Sequence, residues 1–556
     1  MNKKVCSFPI LFALLALLIG TCAVVFPASA QAAPTSTGSI TVSGTVASSY
    51  DAYQIFSANV VDGDSDAKIA TDLAWASDAV RDAALPVLHS AGMPKSQTTA
   101  QEAAEWLNAD SHLTSALSAQ LARSLQSSDA VSEALNAGTA AELPCGYWLI
   151  VADDDAIAQD EAGTAPIMVL VGGSAVTVKP KAATPKVAKH VLEDSAAAWQ
   201  KAADATVADD LYWRLSATVP AGLTAYDAYA VQFVDTMSAG LDPSRVAASV
   251  HVYVAAGADG GFDAVSAGKD GRVGTDPAKG WTDITAQCAT KVAADGKTFT
   301  VRTGDLIAAL GGADAFTAGA RVVAVYNAPL SSACNHGIAK GNPNEVYLRY
   351  PRSPFADQSG DAGFTCTPSD DACAYTWDLA LTKRGSDGDK PLAGAVLSIA
   401  DDRGRTLAAD GTWDAEGKAS VTTGEDGRVT VSGVDSGKLE VRELKAPKGY
   451  TAFEGTRSVT VKAEGLDVDQ VAAAKPKLTI TAESPLRADS ADGSTGSLEA
   501  SLINTPTGTP PSITTGGFMP STGDMAMYAA AAAAVAGAAL IVVALLVKRG
   551  GGSHKE

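Results

Sequence analysis

The sequence predicts a mainly β protein of several consecutive β-sandwich domains, with α-helices confined to an insert in the first domain. The length of 556 residues corresponds to three or four domains at roughly 150 residues each. Short runs of β-branched and apolar residues, separated by turns rich in Gly, Pro and Asp, recur along most of the chain. Hydrophobic residues make up 46% and charged residues 19%, which indicates folded globular material and excludes a disordered or collagen-like chain.

The charge and the rare residue types exclude several classes of function. The net charge is −20, and no basic run interrupts it, so nucleic-acid binding is disfavoured. Six His and seven Cys leave little material for zinc sites or His-based catalysis, and we expect neither a metal nor a cofactor. A secreted hydrolase is the least favoured class, because the chain has no nucleophile elbow and no zincin helix.

The amino terminus predicts secretion. Asn2–Lys4 supplies positive charge, Val5–Phe26 is a long apolar run, and Ala28–Ala30 places small residues at a cleavage position. We expect residues 1–30 to be a signal peptide cleaved after Ala30. The alternatives are an uncleaved membrane anchor and a lipoprotein attached through Cys22, which fits its flanking residues less well.

Shifts in composition divide the rest of the chain. A Pro-, Asp- and Ser-rich stretch at 351–371 indicates one boundary, and a Thr-, Pro- and Gly-rich stretch indicates an extended linker. We expect a first domain at 35–180, a second at 184–352, a third at 377–506 and a linker at 507–518.

The first domain is predicted to pack helices on a sheet. Its strands are expected at Ser39–Val46, Gly146–Val151 and Ile167–Val178. Between them the spacing of Leu117, Leu121 and Leu125 is helical, and a second stripe begins at Trp106–Leu107 and is extended by Leu113. These apolar stripes indicate a helix face packed in the core.

The second and third domains are predicted to consist of short strands without long helices, which favours antiparallel sandwiches. In the second domain the strands are expected at Leu211–Val219, Tyr229–Val234, Ser249–Val254, Arg321–Tyr326 and Glu345–Tyr350. In the third they are expected at Thr376–Thr382, Ala395–Ile399, Arg428–Val431, Lys438–Glu443, Ser458–Val461, Lys477–Thr481 and Leu498–Asn504.

The carboxyl terminus has the pattern of a membrane anchor. Met525–Val547 contains no charge and is long enough to span ~30 Å of hydrocarbon, and Lys548–Arg549 follows it. Directly before it stand Met519, Pro520, Ser521, Thr522 and Gly523. This arrangement, over 519–556, resembles the cell-wall sorting signal Leu-Pro-x-Thr-Gly of Gram-positive surface proteins, with Met519 in place of Leu. The resemblance implies cleavage by a sortase between Thr522 and Gly523; a plain tail anchor is the alternative.

The third domain contains three distinctive segments: Leu379–Lys383, Glu443-Leu-Lys-Ala-Pro-Lys-Gly-Tyr450 and Leu502–Pro506. They resemble the first strand, the Glu-x-x-Ala-Pro-x-Gly-Tyr box and the last strand of the collagen-adhesin B-type, SpaA-like domains of Gram-positive pilins, which are immunoglobulin-like sandwiches. The resemblance implies an amide bond between the side chains of Lys383 and Asn504, assisted by Glu443.

Physical chemistry supports this assignment independently. Burial removes the preference of a lysine for its charged form and lets a carboxyl keep a proton that polarises the asparagine carbonyl. Holding amine and amide in contact can supply an effective molarity of ~10⁵ M or more. The alternative is a surface ion pair between Lys383 and Glu443, with Asn504 capping a turn.

The second domain contains three segments of the same kind: Pro185–Val191, Phe233–Leu241 and Gly341–Leu348. They resemble the opening, acid-bearing and last strands of the isopeptide-forming backbone domain of the same pilins. The resemblance implies that Lys189 bonds to Asn344 with Asp235 assisting. Asn327 and Asn342 are the alternative acceptors, and an unlinked core is the alternative to any bond.

A third lysine is predicted to act between molecules. Val176-Thr-Val-Lys-Pro-Lys181 resembles the pilin motif Val-x-Val-Tyr-Pro-Lys, whose lysine attacks the sortase-bound threonine of the next subunit. The resemblance assigns that role to Lys181. An exposed lysine fits because it must enter the active site of another protein, and Lys179 and Lys186 are the rival residues.

The cysteines give a smaller indication. Cys366 and Cys373 are close in sequence in a secreted chain and could form a disulfide, as could Cys288 and Cys334. Cys145 is expected to be a buried thiol at the start of a strand.

Together these patterns predict the major shaft pilin of a Gram-positive bacterium, a structural protein rather than an enzyme. Its implied partners are a pilus (class C) sortase, a housekeeping sortase, other copies of itself, minor pilins and peptidoglycan. The alternative is a monomeric wall-anchored adhesin or minor pilin that binds a host ligand and does not need Lys181.

Overall fold

The computed structural model describes residues 36–508, except 65–66, 110, 159, 181–183, 222 and 258–279. The expected signal peptide, the sorting motif Met519–Gly523, the apolar segment Met525–Val547 and Lys181 lie outside the described residues. In the part of the chain that is described, no helix has the length and apolar character needed to cross a membrane.

The strands form six sheets, two in each of three successive units, and the chain is mainly β as predicted. The first unit comprises residues 36–180, the second 184–375 and the third 377–508 in the descriptions that follow.

The first unit contains eight strands and three helices among its described residues. The strands are β1 Thr37–Val42, β2 Ser49–Asp62, β3 Lys68–Trp75, β4 Glu133–Asn136, β5 Ala140–Pro144, β6 Gly146–Ala152, β7 Ile167–Val171 and β8 Val176–Val178. One sheet has the order β5-β1-β8 and the other β3-β2-β6-β7, with β4 paired to β2. The helices are α1 Asp78–Ser90, α2 Ala100–Asn108 and α3 Ser115–Gln126.

The helical insert is confirmed, and one detail of it differs from the prediction. Leu117, Leu121 and Leu125 are buried on one face of α3, in a core shared with β2 and β6. Leu113 does not extend a stripe, because it lies between α2 and α3 with 38% of its surface exposed. Thr114 caps the amino terminus of α3 by accepting a hydrogen bond from the amide of Leu117. Leu113 therefore precedes α3 and does not lie on its buried face.

The second unit is a sandwich of two six-strand sheet paths. Its strands are β9 Val187–Glu193, β10 Ala198–Gln200, β11 Ala202–Asp204, β12 Tyr212–Thr218, β13 Gln232–Met237, β14 His251–Ala255, β15 Trp281–Asp283, β16 Ala289–Val292, β17 Thr298–Arg302, β18 Arg321–Asn327, β19 Asn342–Pro351, β20 Phe364–Cys366 and β21 Asp370–Tyr375. The orders are β10-β9-β12-β18-β14-β15 and β11-β21-β19-β13-β17-β16, with β20 paired to β19. Two short helices, α4 Val246–Ser249 and α5 Leu306–Ala309, lie in its connections.

The second unit differs from the prediction at its end and in one strand direction. Its sheet continues past Arg352 through β20 and β21, whereas the sequence placed a boundary stretch at 351–371. These polar segments are strands because each forms backbone hydrogen bonds with β19. Local composition cannot predict such a tertiary contact. All pairings are antiparallel except that of β11 with β21, which is parallel.

The third unit begins directly after β21. Its strands are β22 Trp377–Gly385, β23 Val396–Ala400, β24 Thr406–Leu407, β25 Trp413–Asp414, β26 Val421–Thr422, β27 Arg428–Val434, β28 Gly437–Lys445, β29 Tyr450–Thr451, β30 Thr456–Glu464, β31 Lys477–Ala482, β32 Leu486–Asp492 and β33 Ser497–Pro506. One sheet has the order β27-β22-β33-β29 with β32 on β33, and the other β25-β24-β23-β28-β30-β31 with β26 on β23. The first strand, β22, and the last, β33, are parallel neighbours, so the two ends of the unit lie side by side.

Candidate functional site: two buried lysine–acid–asparagine clusters

The register of the third unit places Lys383 and Asn504 on the same face of one sheet. Lys383 of β22 is paired with Leu502 of β33, and Asn504 follows Leu502 by two residues. Because side chains alternate along a strand, Asn504 and Leu502 point to the same side as Lys383. The sequence positions of these residues are far apart, and only the parallel pairing of the first and last strands makes them neighbours.

The backbone around Lys383 is fixed by the turn that precedes β27. The Lys383 amide donates to Gly427 O at 2.8 Å, and the Leu392 amide donates to Lys383 O at 2.8 Å. Gly427 has φ +73°, and a Cβ there would lie 2.9 Å from Lys383 O. A side chain at this position would therefore displace the strand that carries the lysine.

Glu443 completes this cluster from the facing sheet. It lies on β28, and its Oε1 is 3.4 Å from Lys383 Nζ. The Asn504 Nδ2 donates to Glu443 Oε1 at 2.9 Å and to Oε2 at 3.0 Å. The side chains of Lys383 and Glu443 are 0% exposed. The acid thus contacts both the amine and the amide that the sequence assigned to the bond, inside the core and not on the surface.

The electrostatics of this cluster suit an amine nucleophile. Burial lowers the pKa of Lys383 to about 8, and Glu443 opposes part of that shift. Asn504 Oδ1 is buried and has no hydrogen-bond partner among the described residues. A half-turn of the amide exchanges Oδ1 with Nδ2, so Glu443 can contact either atom of the group that is attacked.

The second unit holds a similar cluster with a different construction. Asp235 of β13 is paired with Val346 and Met237 with Asn344, so Asp235 and Asn344 share a face of one sheet. Lys189 lies on β9 in the opposite sheet. Its Nζ forms a buried ion pair with Asp235 Oδ2. Here the lysine faces its acid and amide across the sandwich rather than along one sheet.

Tyr326 is a member of this cluster that sequence reasoning missed. It lies on β18, and its hydroxyl is 2.9 Å from Lys189 Nζ, 2.7 Å from Asn344 Nδ2 and 3.0 Å from Asp235 Oδ2. In the sequence Tyr326 is one inward residue of a predicted strand, and nothing distinguishes it from a core aromatic. Only the packing of the two sheets shows its contacts.

Burial dominates the titration of this second cluster. Lys189, Asp235 and Asn344 are 0% exposed. Desolvation lowers the pKa of Lys189 and raises the pKa of Asp235, in each case against the attraction of the other. Both shifts favour a neutral amine beside a protonated carboxyl.

The alternative acceptors in the second unit have other partners. Asn327 Nδ2 donates to Asp210 Oδ1 at 2.7 Å. Asn342 Nδ2 donates to the carbonyls of Asn335 and Ala374 at 2.8 and 3.2 Å. The geometry therefore favours Asn344 as the acceptor.

The lysines considered for the bond between molecules lie partly outside the described residues. Lys181 is not described, whereas its rivals Lys179 and Lys186 are described and exposed.

The predicted disulfide between Cys366 and Cys373 is wrong. Both strands pair with β19, where Cys366 lies opposite Arg349 and Cys373 opposite Pro343. Six residues of strand separate these positions by roughly 20 Å, well beyond the reach of a disulfide. Cys288 and Cys334 are also not joined, and Cys145 is buried as expected.

The described residues contain no group of three or more His, Cys, Asp or Glu side chains arranged to hold a metal ion.

Buried acids lie at the junction of the second and third units. Asp204 Oδ2 accepts hydrogen bonds from Trp377 Nε1 at 2.6 Å and Ser436 N at 2.9 Å. Burial and the neighbouring Asp204 raise the pKa of Glu193 to about 8.

This junction predicts a pH dependence of stability. A carboxyl with a raised pKa in the folded chain binds more protons there than when unfolded, so stability falls as pH rises toward 8. Burial lowers the pKa of His190 to about 4. His190 therefore makes stability rise with pH, but only below about pH 6.5, the pKa of an unperturbed histidine. We expect the Tm to fall between about pH 6.5 and 8 and the Glu193→Gln substitution to reduce that fall. Thermal unfolding of the full chain across this range checks it, with Glu105→Gln on the exposed surface of α2 as the control; an equal fall in both variants would contradict it.

Comparison with protein families gives one match, in the third unit. A sequence model of the SpaA family, described as a prealbumin-like fold domain, matches residues 378–475. The third unit is therefore similar to SpaA domains over these residues. This match includes Lys383 and Glu443, and the strand that carries Asn504 follows the matched residues.

A curated relative and several solved structures are similar to the chain. The trypsin-resistant surface T6 protein of Streptococcus pyogenes serotype M6 is 30% identical over 129 residues, which is 22% of this chain and 22% of that protein. The chain thus matches about a fifth of that relative's length.

The solved structures have lower sequence identity and greater coverage. The T6 backbone pilin of serotype M6 Streptococcus pyogenes is 16% identical, over 85% of this chain and 98% of that one, with a TM-score of 0.45. The major pilin SpaD from Corynebacterium diphtheriae is 16% identical over 85% and 98%, with a TM-score of 0.40. The major pilin SpaA from the same organism is 13% identical over 84% and 99%, with a TM-score of 0.38.

Proposed function

We propose that this chain is the major shaft pilin of a Gram-positive bacterium, closed internally by two lysine–asparagine isopeptide bonds and joined to other copies by a pilus sortase. The observation that carries the proposal is that two separate units each bury a lysine, an acid and an asparagine in one cluster, with lysine and asparagine bound to the same oxygen-bearing side chain. A buried lysine with one acid is a costly arrangement that hydrophobic residues could replace without loss of stability. Its occurrence twice, each time with an asparagine, supports a chemical role.

In the third unit the proposed reaction joins Lys383 Nζ to Cγ of Asn504. The neutral amine attacks, the bond from Cγ to Nδ2 breaks, and the amide nitrogen leaves as ammonia with the proton that Nζ gives up. Glu443 contacts both nitrogens, so it can take the proton from one and return it to the other. The rigid sandwich supplies the proximity that makes an unactivated amide reactive.

The position of this bond suits a fibre under tension. β22 and β33 are the first and last strands of the third unit and are parallel. A covalent link between them would carry a pulling force directly from one end of the unit to the other, and the strands between them would not need to unfold.

The assembly steps rest on the sequence motifs outside the described residues. A pilus sortase would cleave between Thr522 and Gly523 and transfer the threonine carbonyl to Lys181 of another copy, and a housekeeping sortase would attach the last subunit to peptidoglycan. The chain would then be a sortase substrate on the cell surface. It would catalyse only its own internal bonds.

The full chain incubated in detergent with a pilus sortase is expected to form a ladder of multimers that is lost in Lys181→Ala. The matched controls are Lys179→Ala and Lys186→Ala, which remove exposed lysines nearby and should leave the ladder intact. Electrophoresis under denaturing conditions reads the result. Unchanged multimers in all three variants would overturn the assignment of Lys181, and single-copy attachment by the wild-type chain would indicate the wall-anchored adhesin instead.

A further inference from the structure

The two clusters differ in that the second contains a tyrosine hydroxyl beside its lysine, acid and asparagine. In the third unit Glu443 contacts Asn504 Nδ2 directly. In the second unit the hydroxyl of Tyr326 accepts hydrogen bonds from both Lys189 Nζ and Asn344 Nδ2 and donates one to Asp235 Oδ2. The phenol therefore stands between the two nitrogens that the proposed bond formation exchanges.

We propose that Tyr326 is a catalytic residue of the second unit, carrying the proton from Lys189 Nζ to the leaving nitrogen of Asn344. This inference rests on the proposed isopeptide chemistry and adds a residue that the sequence did not assign. Its hydroxyl contacts both reacting nitrogens, so the role follows from direct geometry.

The chemical balance requires that one proton move between the two nitrogens. When the neutral Lys189 amine forms its bond to Cγ of Asn344, Nζ must lose one proton. When the bond from Cγ to Nδ2 breaks, Nδ2 must gain one proton to leave as ammonia. The Tyr326 oxygen is 2.9 Å from the first nitrogen and 2.7 Å from the second, so it can accept one proton while it delivers another. Asp235 holds the third position on the hydroxyl and can store the proton between the two transfers.

The surroundings keep the phenol protonated and oriented. Tyr326 is fully buried, and its ring packs edge-on against Phe299 at 4.8 Å between centroids. Desolvation and the nearby Asp235 raise the pKa of the Tyr326 hydroxyl, so the group carries a proton to give. The ring of Trp213 also flanks the Lys189 amine, 5.4 Å from Nζ, which leaves little room for water to act as the carrier.

The test follows bond formation at the two sites in one molecule. The full chain is synthesised in a cell-free system, quenched at intervals and digested, and the crosslinked peptides are measured by mass spectrometry. General acid–base catalysis typically contributes about 10²–10⁴-fold, so Tyr326→Phe is expected to slow the Lys189–Asn344 bond by about 10²-fold or more. The Lys383–Asn504 bond, which involves no tyrosine contact of this kind, should form at its wild-type rate and serves as the internal control.

A second variant separates catalysis from packing. Fluorotyrosine at position 326 keeps the ring and the hydroxyl but lowers the phenol pKa, so a proton carrier changes its rate and pH profile while a packing residue does not. Equal rates in wild type, Tyr326→Phe and the fluorotyrosine chain would overturn the role of Tyr326 and leave the bond itself standing. Absence of the Lys189–Asn344 peptide from the wild-type chain would instead overturn both proposals.

Discussion

The Glu443→Ala chain is expected to lose the Lys383–Asn504 bond and with it much of the stability of the third unit. Glu443 is the described carboxyl in contact with both Lys383 Nζ and Asn504 Nδ2, so its removal leaves no group to move the proton. A crosslink closing a loop of about 120 residues stabilises by about 4–5 kcal/mol in the chain-entropy treatment used for disulfides. The intact mass of the variant should lie one ammonia below the mass of its sequence, whereas the wild-type chain with both bonds lies two below. Denaturant unfolding should show the loss of stability.

The control for this prediction is Glu440→Ala on the same strand. Glu440 is exposed and forms an ion pair with Lys438 at 2.9 Å, so its removal should change stability by less than about 1 kcal/mol and leave the mass deficit intact. Glu443→Gln is expected to behave like Glu443→Ala, because it keeps the volume and loses the acid. A full mass deficit in Glu443→Ala would show that the bond forms without this carboxyl, or forms elsewhere.

The Asp235→Ala chain is expected to suffer a comparable loss in the second unit. It removes the acid that binds the Tyr326 hydroxyl and also leaves Lys189, which is 0% exposed, without its buried partner. Truncating one member of a buried pair costs about 3–5 kcal/mol, and the lost crosslink would have closed a loop of about 155 residues, worth roughly a further 5 kcal/mol. The Tm should fall sharply, and the mass should show that only the third-unit bond has formed.

Asp242→Ala is the matched control for this variant. Asp242 follows β13 and accepts a hydrogen bond from Ser244 N at 2.9 Å as a local cap. Its loss should cost about 1 kcal/mol without any change in mass. A second-unit crosslink that survives Asp235→Ala would contradict the role of Asp235, whatever the stability of the variant.

Several strands in the second and third units were predicted because their composition is locally distinctive. The predicted Arg321–Tyr326 and Leu498–Asn504 lie within β18 and β33, where apolar residues are concentrated. The longest strand of the first unit, β2, was missed because its pairing is irregular. Its pairing with β6 and β3 shifts at Gln54/Phe56 and at Ser57/Asn59, and such bulges break the period of two on which the prediction depends.

The short motifs also indicated which side chains lie together in the core: Lys383, Glu443 and Asn504 in the third unit, and Lys189, Asp235 and Asn344 in the second. The cysteine pairing failed because closeness in sequence was used in place of register. Cys366 and Cys373 lie opposite residues six positions apart on β19, a separation that depends on the ladder and not on the six residues between them.

The sequence by itself determined the β-rich class, the helical insert and the lysines, acids and asparagines of the two clusters, because each is written in local periodicity or in a short motif. The tertiary structure alone decided that Asn344 rather than Asn327 or Asn342 faces the second cluster, and that Tyr326 lies at its centre. These choices depend on which residues of opposite sheets meet when the sandwich closes. That meeting is set by strand register and packing over separations of more than a hundred residues, such as that between Lys189 and Tyr326, and no local pattern encodes it.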